Sequence, residues 1–222
     1  MFFDLPLIPP DWSAATRVLR RDPVMKSIIA RVGACTLSTG RDPFISLVQS
    51  IYAQQISTKI ATTLYGRFAA KFPKGQPTPR RVVTALSGNW DDETIRFCGL
   101  SRQKRVYVLD LAQHFIDKKI NPRALAQSDD ESVIEALTAV KGVGRWTAEM
   151  FLIFTLNRPD VLPVDDLGIR EAVRRFYGLK ERPSDDELRS IAEPWKPYRT
   201  IASWYLWRGG ATTELAPTNQ HE

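Results

Sequence analysis

The chain has 222 residues, 43% of them hydrophobic and 25% charged, which suits a globular fold of one large domain or two small ones. No apolar stretch reaches the roughly 20 residues that span a bilayer, and Met1-Phe-Phe-Asp-Leu-Pro6 lacks the pattern of a secretory signal, so no membrane association and a cytoplasmic (or nuclear) location are expected. Lys and Arg number 31 against 25 Asp and Glu, a net charge of +6, which permits phosphate neutralisation on a nucleic acid without requiring it.

Taken in chain order, residues 1–37 have room only for short helices. Phe44, Leu47, Val48 and Ile51 stand at i, i+3, i+4 and i+7, which predicts a helix from about Asp42 that ends in Tyr52-Ala-Gln-Gln-Ile56. Pro73 to Pro79, with Gly75 between, reads as a loop. Val108, Leu111, Ala112 and Phe115 repeat the helical spacing, as do Val133, Ala136, Leu137 and Val140, and later Ile169, Ala172, Val173 and Phe176. Ser128-Asp-Asp-Glu131 and Ser184-Asp-Asp-Glu187 match the capping box. Gly178 suits a helix C-terminus after Tyr177, and the polar residues 211–222 are expected to fray. No set of alternating strands appears, so the fold class is all-α. Cys35 and Cys98 are too few for a zinc or four-cysteine cluster site. His114 and His221 leave little room for a Ser–His–Asp or Cys–His arrangement. Trp12, Trp90, Trp195 and Trp204 read as core.

The richest stretch runs from 137 to 169. Val140-Lys-Gly-Val-Gly144 separates one helical pattern from another that starts near Arg145. Two glycines permit a tight turn with positive φ. The N–H groups that follow, Gly142, Val143, Gly144 and Arg145 among them, then form a nest for an anion such as a phosphate, with Lys141 and Arg145 adding positive charge. A plain helix–turn–helix corner is the other reading of Gly-x-Gly.

Asp165 and Asp166 precede the helical pattern Leu167-Gly-Ile-Arg-Glu-Ala-Val173. An aspartate there can cap the helix. With two, the expectation is that one caps and the other works. A fixed carboxylate can stabilise an oxocarbenium-like sugar and orient or deprotonate an attacking water, as in glycoside hydrolysis.

Lys141-Gly-Val-Gly-Arg-Trp-Thr-Ala148 with Leu162-Pro-Val-Asp-Asp166 about twenty residues on resembles the helix–hairpin–helix DNA glycosylase superfamily. Trp195-Lys-Pro-Tyr-Arg199 and the Trp207 segment extend the resemblance to the alkylbase branch, 3-methyladenine DNA glycosylase II, over about residues 38–212. The resemblance implies that Asp166 is the catalytic carboxylate, with Asp165 second to it. Bifunctional members carry a lysine where this chain has Trp146, which implies a monofunctional enzyme in which water attacks. Trp146 and Trp207 would meet a cationic methylated purine with an electron-rich face. Tyr52 and Met150 would join the substrate pocket, Met150 standing where relatives carry a tyrosine. Gln54 and Gln55 fall in the segment that enters the duplex once a base is flipped out, Gln55 standing where a leucine is found in the best-known bacterial member. Two glutamines can also simply end a helix. The hairpin carbonyls of Thr138, Val140 and Val143 would hold a monovalent cation, Na+ or K+, and no catalytic metal or organic cofactor is implied.

The expected architecture is two helical subdomains with a cleft between them. Residues 38–160 form one, ending in the helix–hairpin–helix, and residues 1–37 with 161–222 form the other, carrying Asp166. Arg102, Lys104, Arg105, Lys141 and Arg145 are candidates for contacts to the DNA backbone, though charges on helices also serve as solvated faces. The expected function is hydrolysis of the N-glycosidic bond of 3-methyladenine and 7-methylguanine in double-stranded DNA by a monomer. Deaminated or oxidised bases are an alternative substrate class. A non-catalytic DNA-binding module is a second alternative, and a purely structural helical protein a third.

Overall fold

Most helix starts in this chain are written locally, by a proline at the first turn or a small polar residue before it. The computed structural model describes residues 11–38, 40 and 42–213. Among these no strand occurs, and the helices in chain order are α1 (Ser13–Leu19), α2 (Pro23–Val32), α3 (Pro43–Ala53), α4 (Thr58–Ala70), α5 (Pro79–Thr84), α6 (Asp92–Phe97), α7 (Arg102–Ile116), α8 (Pro122–Gln127), α9 (Asp130–Thr138), α10 (Arg145–Phe154), α11 (Leu167–Phe176), α12 (Asp185–Ala192) and α13 (Arg199–Thr213). The all-α expectation holds. Residues 214–222, part of the tail expected to fray, lie outside the described residues.

Two units emerge. The first is contiguous, from 42 to 155, and holds α3 to α10. The second combines residues 11–40 with 156–213 and holds α1, α2 and α11 to α13.

In the first unit α3 is the central helix, packed on α4, α7 and α10. It buries Phe44, Leu47, Val48, Ile51 and Tyr52, each worth about 1.5–3 kcal/mol. Phe68 and Phe72 of and after α4 stack edge-on, their centroids 5.0 Å apart, and Trp90 packs on both. The helices α5, α6 and α8 are only six residues long.

In the second unit α13 packs against α2, α11 and α1. It buries Ile201, Ala202, Trp204, Tyr205 and Leu206. Asp22 is the knot of this unit. One carboxylate oxygen caps α2 through the N–H groups of Val24 and Met25, at 2.8 and 3.2 Å. The other accepts from the Tyr177 hydroxyl at 2.5 Å and from Trp195 Nε1 at 3.1 Å. Burial first, and the Asp22 carboxylate next, hold the Tyr177 hydroxyl far above its usual range. Asp22→Ala leaves a helix cap, a phenol and an indole N–H without their acceptor. It is expected to cost about 2–4 kcal/mol, read as a lower midpoint in urea unfolding.

Ser184 and Glu187 form the reciprocal capping box expected of them. The Ser128 box does not form: Asp129 is the cap of α9, accepting from Ser132 N–H at 2.9 Å, and Ser128 ends α8 instead. A carboxylate one residue closer to the helix outcompetes the hydroxyl. Gly178 follows α11 with φ 69°, and the Leu179 N–H returns to the Arg174 carbonyl, as expected of a glycine stop.

Candidate active site

The hairpin forms where its glycines put it. Helix α9 ends at Thr138 and α10 starts at Arg145. Gly142 sits at φ 79°, a conformation that glycine adopts without penalty. The Val143 N–H closes the turn on the Val140 carbonyl at 3.1 Å. Gly144 caps α10 without a side-chain acceptor, so nothing among the described residues accepts from the N–H groups of Gly142, Gly144 and Arg145. These open donors at a helix N-terminus are what an anion needs.

The flanking charges serve differently from expectation. The Arg145 guanidinium lies against Glu131, with a 3.1 Å bond among its contacts, and its Nε donates to Glu149 at 3.2 Å. Lys141 donates its backbone N–H to Asp110 at 2.9 Å. Lys104 is not directed to solvent: its Nζ donates to the Tyr52 and Gln54 carbonyls, at 2.7 and 3.1 Å. Arg105 donates from Nε to the Leu86 carbonyl at 3.1 Å. Lys104 and Arg105 are therefore corrected from candidate DNA ligands to internal ties, because helix ends leave carbonyls that a long cation can satisfy. Arg102 remains exposed.

The carboxylate expectation also needs correction. Asp166 itself is the cap of α11, its Oδ1 accepting from Ile169 N–H at 2.8 Å. Asp165 is exposed. The two aspartates do not divide the labour. The same residue caps the helix and is the buried candidate, at 8% exposure. Trp207 Nε1 donates to the same Oδ1 at 3.0 Å. Sequence reasoning brought Asp166 and Trp207 to one site but assigned Trp207 to the substrate, and its N–H is spent on the carboxylate. Trp146 stands on α10 in the first unit, 42% exposed.

Two residues that sequence reasoning passed over shape this site. Gly168 faces it so closely that an added Cβ would stand 3.1 Å from Asp166 Oδ1 and 3.4 Å from Trp207 Cδ1. Arg170 holds the turn before α11: its Nε donates to the Val164 carbonyl at 2.7 Å and Nη1 to the Pro183 carbonyl at 2.9 Å, while Nη2 pairs with Asp185. Their signal was their nearness to the Asp pair. The Trp195–Arg199 motif turns out to be scaffold. Arg199 Nε and Nη2 grip the Asp160 carboxylate at 2.7 and 2.9 Å, and Thr200 Oγ1 bridges the Arg158 carbonyl and Val161 N–H.

In the first unit a cavity of about 650 Å³ is lined by Ser46, Gln49, Thr62, Tyr65, Met150 and Phe154, among others. This is within the range of small-molecule pockets. Met150 lines this recess. The Tyr65 hydroxyl there is pushed up to about 12, by burial and then by the Asp42 charge. Tyr52 is not in this recess. It is wholly buried against Tyr65 and Phe68, and its place as a substrate contact is withdrawn. Gln54 and Gln55 follow α3. The Gln54 side chain donates to the Gly142 carbonyl at 2.7 Å, and Gln55 is exposed with φ 62°.

Comparison with known proteins gives the family of this chain. Residues 48–197 match the HhH-GPD superfamily of base excision DNA repair proteins. The chain is 37% identical over 178 residues to DNA-3-methyladenine glycosylase 1 of Schizosaccharomyces pombe, covering 79% of this chain and 75% of that one. It is 33% identical over 187 residues to the alkylbase DNA glycosidase-like protein mag2 of the same yeast, covering 82% and 85%. Its fold resembles the solved S. pombe 3-methyladenine DNA glycosylase Mag1 in complex with abasic DNA, with TM-score 0.80 and 34% identity over 92% of this chain and 98% of that one. The family match spans the hairpin and the Asp166 turn, and the chain belongs to the HhH-GPD superfamily of base excision DNA repair proteins.

Proposed function

We propose that this protein is a monofunctional DNA glycosylase that hydrolyses the N-glycosidic bond of alkylated purines, 3-methyladenine and 7-methylguanine, in double-stranded DNA. The observation that carries the reading is the Asp166 carboxylate, fixed at a helix N-terminus by two N–H donors, in a chain similar to named 3-methyladenine DNA glycosylases.

The chemistry needs little else. A methylated purine carries positive charge, so the glycosidic electron pair leaves with the base and the base departs neutral. The sugar left behind has oxocarbenium character. An anion whose orientation is paid for in advance lowers that barrier. Water then adds to the sugar carbon and gives up a proton, for which a carboxylate is the available acceptor. At position 146 the side chain is an indole, so no imine forms there. Asp165 stands beside this centre as an exposed carboxylate. Trp207 acts on Asp166 through its N–H and supports the carboxylate orientation. Trp146 offers an exposed aromatic face to a cationic base, and the recess beside Met150 offers apolar walls with the Gln49 amide as a polar group.

The hairpin N–H groups of Gly142, Gly144 and Arg145 take a DNA phosphate, with Lys141 nearby. The exposed Gln55 fills the gap that an extruded base leaves. The hairpin carbonyls of Thr138, Val140 and Val143 are the expected holders of a monovalent cation. Among the described residues nothing donates to those of Thr138 and Val143, and that of Val140 accepts only the Val143 N–H, which leaves lone pairs for an ion.

Mass spectrometry of bases freed from methylated duplex DNA tests the reading. Release of 3-methyladenine and 7-methylguanine is expected. Release of only deaminated or oxidised bases from matched substrates would reassign the substrate, and no release at all would leave a DNA-binding module. Trp207→Phe keeps the ring and removes the donor. It is expected to lower kcat about tenfold with KM nearly unchanged, and a KM effect alone would return Trp207 to substrate binding.

A further inference from the structure

The turn that carries Gln55 is tied down by groups the chemistry above does not use. Helix α3 ends at Ala53, Gln54 is its C-cap, and Gln55 follows at φ 62°. A residue with a Cβ holds that conformation at a cost of about 1–2 kcal/mol, so a turn left to itself would relax or carry glycine. Here it is held from two sides. Lys104 Nζ bonds the carbonyls on either side of Ala53, those of Tyr52 at 2.7 Å and Gln54 at 3.1 Å. The Gln54 amide reaches the other way and donates to the Gly142 carbonyl at 2.7 Å, 88 residues on in the chain.

Helix α7 supplies the rest of the frame. Lys104, Tyr107 and Asp110 recur every three residues along it. Lys104 holds the turn. The Tyr107 ring packs on the bare Cα of Gly142, and Asp110 accepts the Lys141 N–H at 2.9 Å. One helix therefore sets the spacing between the Gln55 turn and the hairpin, and the Gln54 amide closes the frame directly. Lys104 is partly stripped of water at this place, and its pKa is lowered accordingly. It spends its charge inside the protein.

We infer that Lys104 and Gln54 are positioning residues that lock the Gln55 turn to the hairpin, so that capture of a backbone phosphate by the hairpin presents Gln55 to the base stack. The inference rests on the reading of the hairpin as a phosphate site and of Gln55 as the group that enters the duplex. It makes lesion recognition depend on two side chains that touch no DNA.

The test uses the full chain with Lys104→Met and Gln54→Ala, and measures affinity by fluorescence anisotropy for a duplex with one abasic site and for the same duplex undamaged. Both variants are expected to lose tenfold or more in affinity for the abasic duplex and less than twofold for the undamaged one. The slope of log affinity against log salt is expected to stay as in the wild type. Lys104→Arg, which keeps donors for the carbonyls, is expected to recover most of the preference. Equal losses on both duplexes with a slope reduced by about one would make Lys104 a phosphate ligand and overturn the inference, as would an unchanged preference in both variants. If Lys104→Met does not fold, Gln54→Ala, which removes only an amide, decides alone. A wild-type protein without preference for the abasic duplex would instead overturn the glycosylase reading, and this inference with it.

Discussion

Asp166→Asn is expected to abolish base release from methylated DNA, by three orders of magnitude or more, in a protein that still folds and still binds DNA. The geometry makes this substitution unusually clean. Asparagine caps a helix about as well as aspartate, so its oxygen can keep the Ile169 N–H and the Trp207 N–H that Oδ1 holds now. Shape, cap and indole contact survive, and the negative charge alone is removed. Losing a single preorganised electrostatic partner typically costs about 10²–10³ in rate, and a group that also accepts the proton of water loses that contribution besides. The experiment is a single-turnover measurement of freed base, with anisotropy on an abasic duplex as control. Rates within tenfold of wild type would remove Asp166 from the chemistry. Lost DNA binding would mean that the charge serves the fold of this unit instead.

Gly142→Ala is expected to disable the protein from the other unit. Two penalties coincide there. At φ 79° an alanine sits in left-handed space, at about 1–2 kcal/mol. Its methyl would also fall inside the Tyr107 ring, and forcing extra atoms into a packed site costs about 1–3 kcal/mol. Together the loss is about 2–5 kcal/mol, a large part of an ordinary domain's stability. Because the same residue carries an open N–H of the hairpin, affinity for undamaged DNA should fall as well. Urea unfolding and anisotropy read the two effects. The double variant Gly142→Ala/Tyr107→Ser should lose less than the sum of its parts, since the clash needs both partners. A single variant within 0.5 kcal/mol of wild type would show that the hairpin moves freely away from α7.

Which features could be read in advance follows from their physics. The hairpin was legible because it rests on local backbone chemistry, a glycine where φ must be positive; the Asp pair was legible as a helix start, and the choice of Asp166 over Asp165 came from the family resemblance. The long helices announced themselves by apolar spacing. Helices α5, α6 and α8 span under two turns, too short for periodicity, and only Pro79, Asp91 and the pair Asn121-Pro122 marked their starts. The burial of Tyr52 was in reach, since it continues the spacing of Phe44 and Val48 by one more turn of four. Its assignment to the substrate overrode that pattern. The ties made by Lys104 and Arg170 were out of reach. A lysine bonded to carbonyls fifty residues away leaves no trace in its neighbours, and its sequence context reads as a solvated helix face.

The second unit is made from two stretches that flank the first in sequence, and this bears on how the protein comes off the ribosome. Helices α3 to α10 are consecutive, so they can mature as they emerge. Helix α2 is translated before the whole of the first unit, and its partner α13 follows some 170 residues later, about 10–30 s at ordinary elongation rates. Through that interval the apolar side of α2, with Met25, Ile28 and Ile29, has no native neighbour from α13. An uncovered apolar face of this kind is what chaperones exist to shield, and a nascent chain arrested before α13 would display Asp166 without its Trp207 partner.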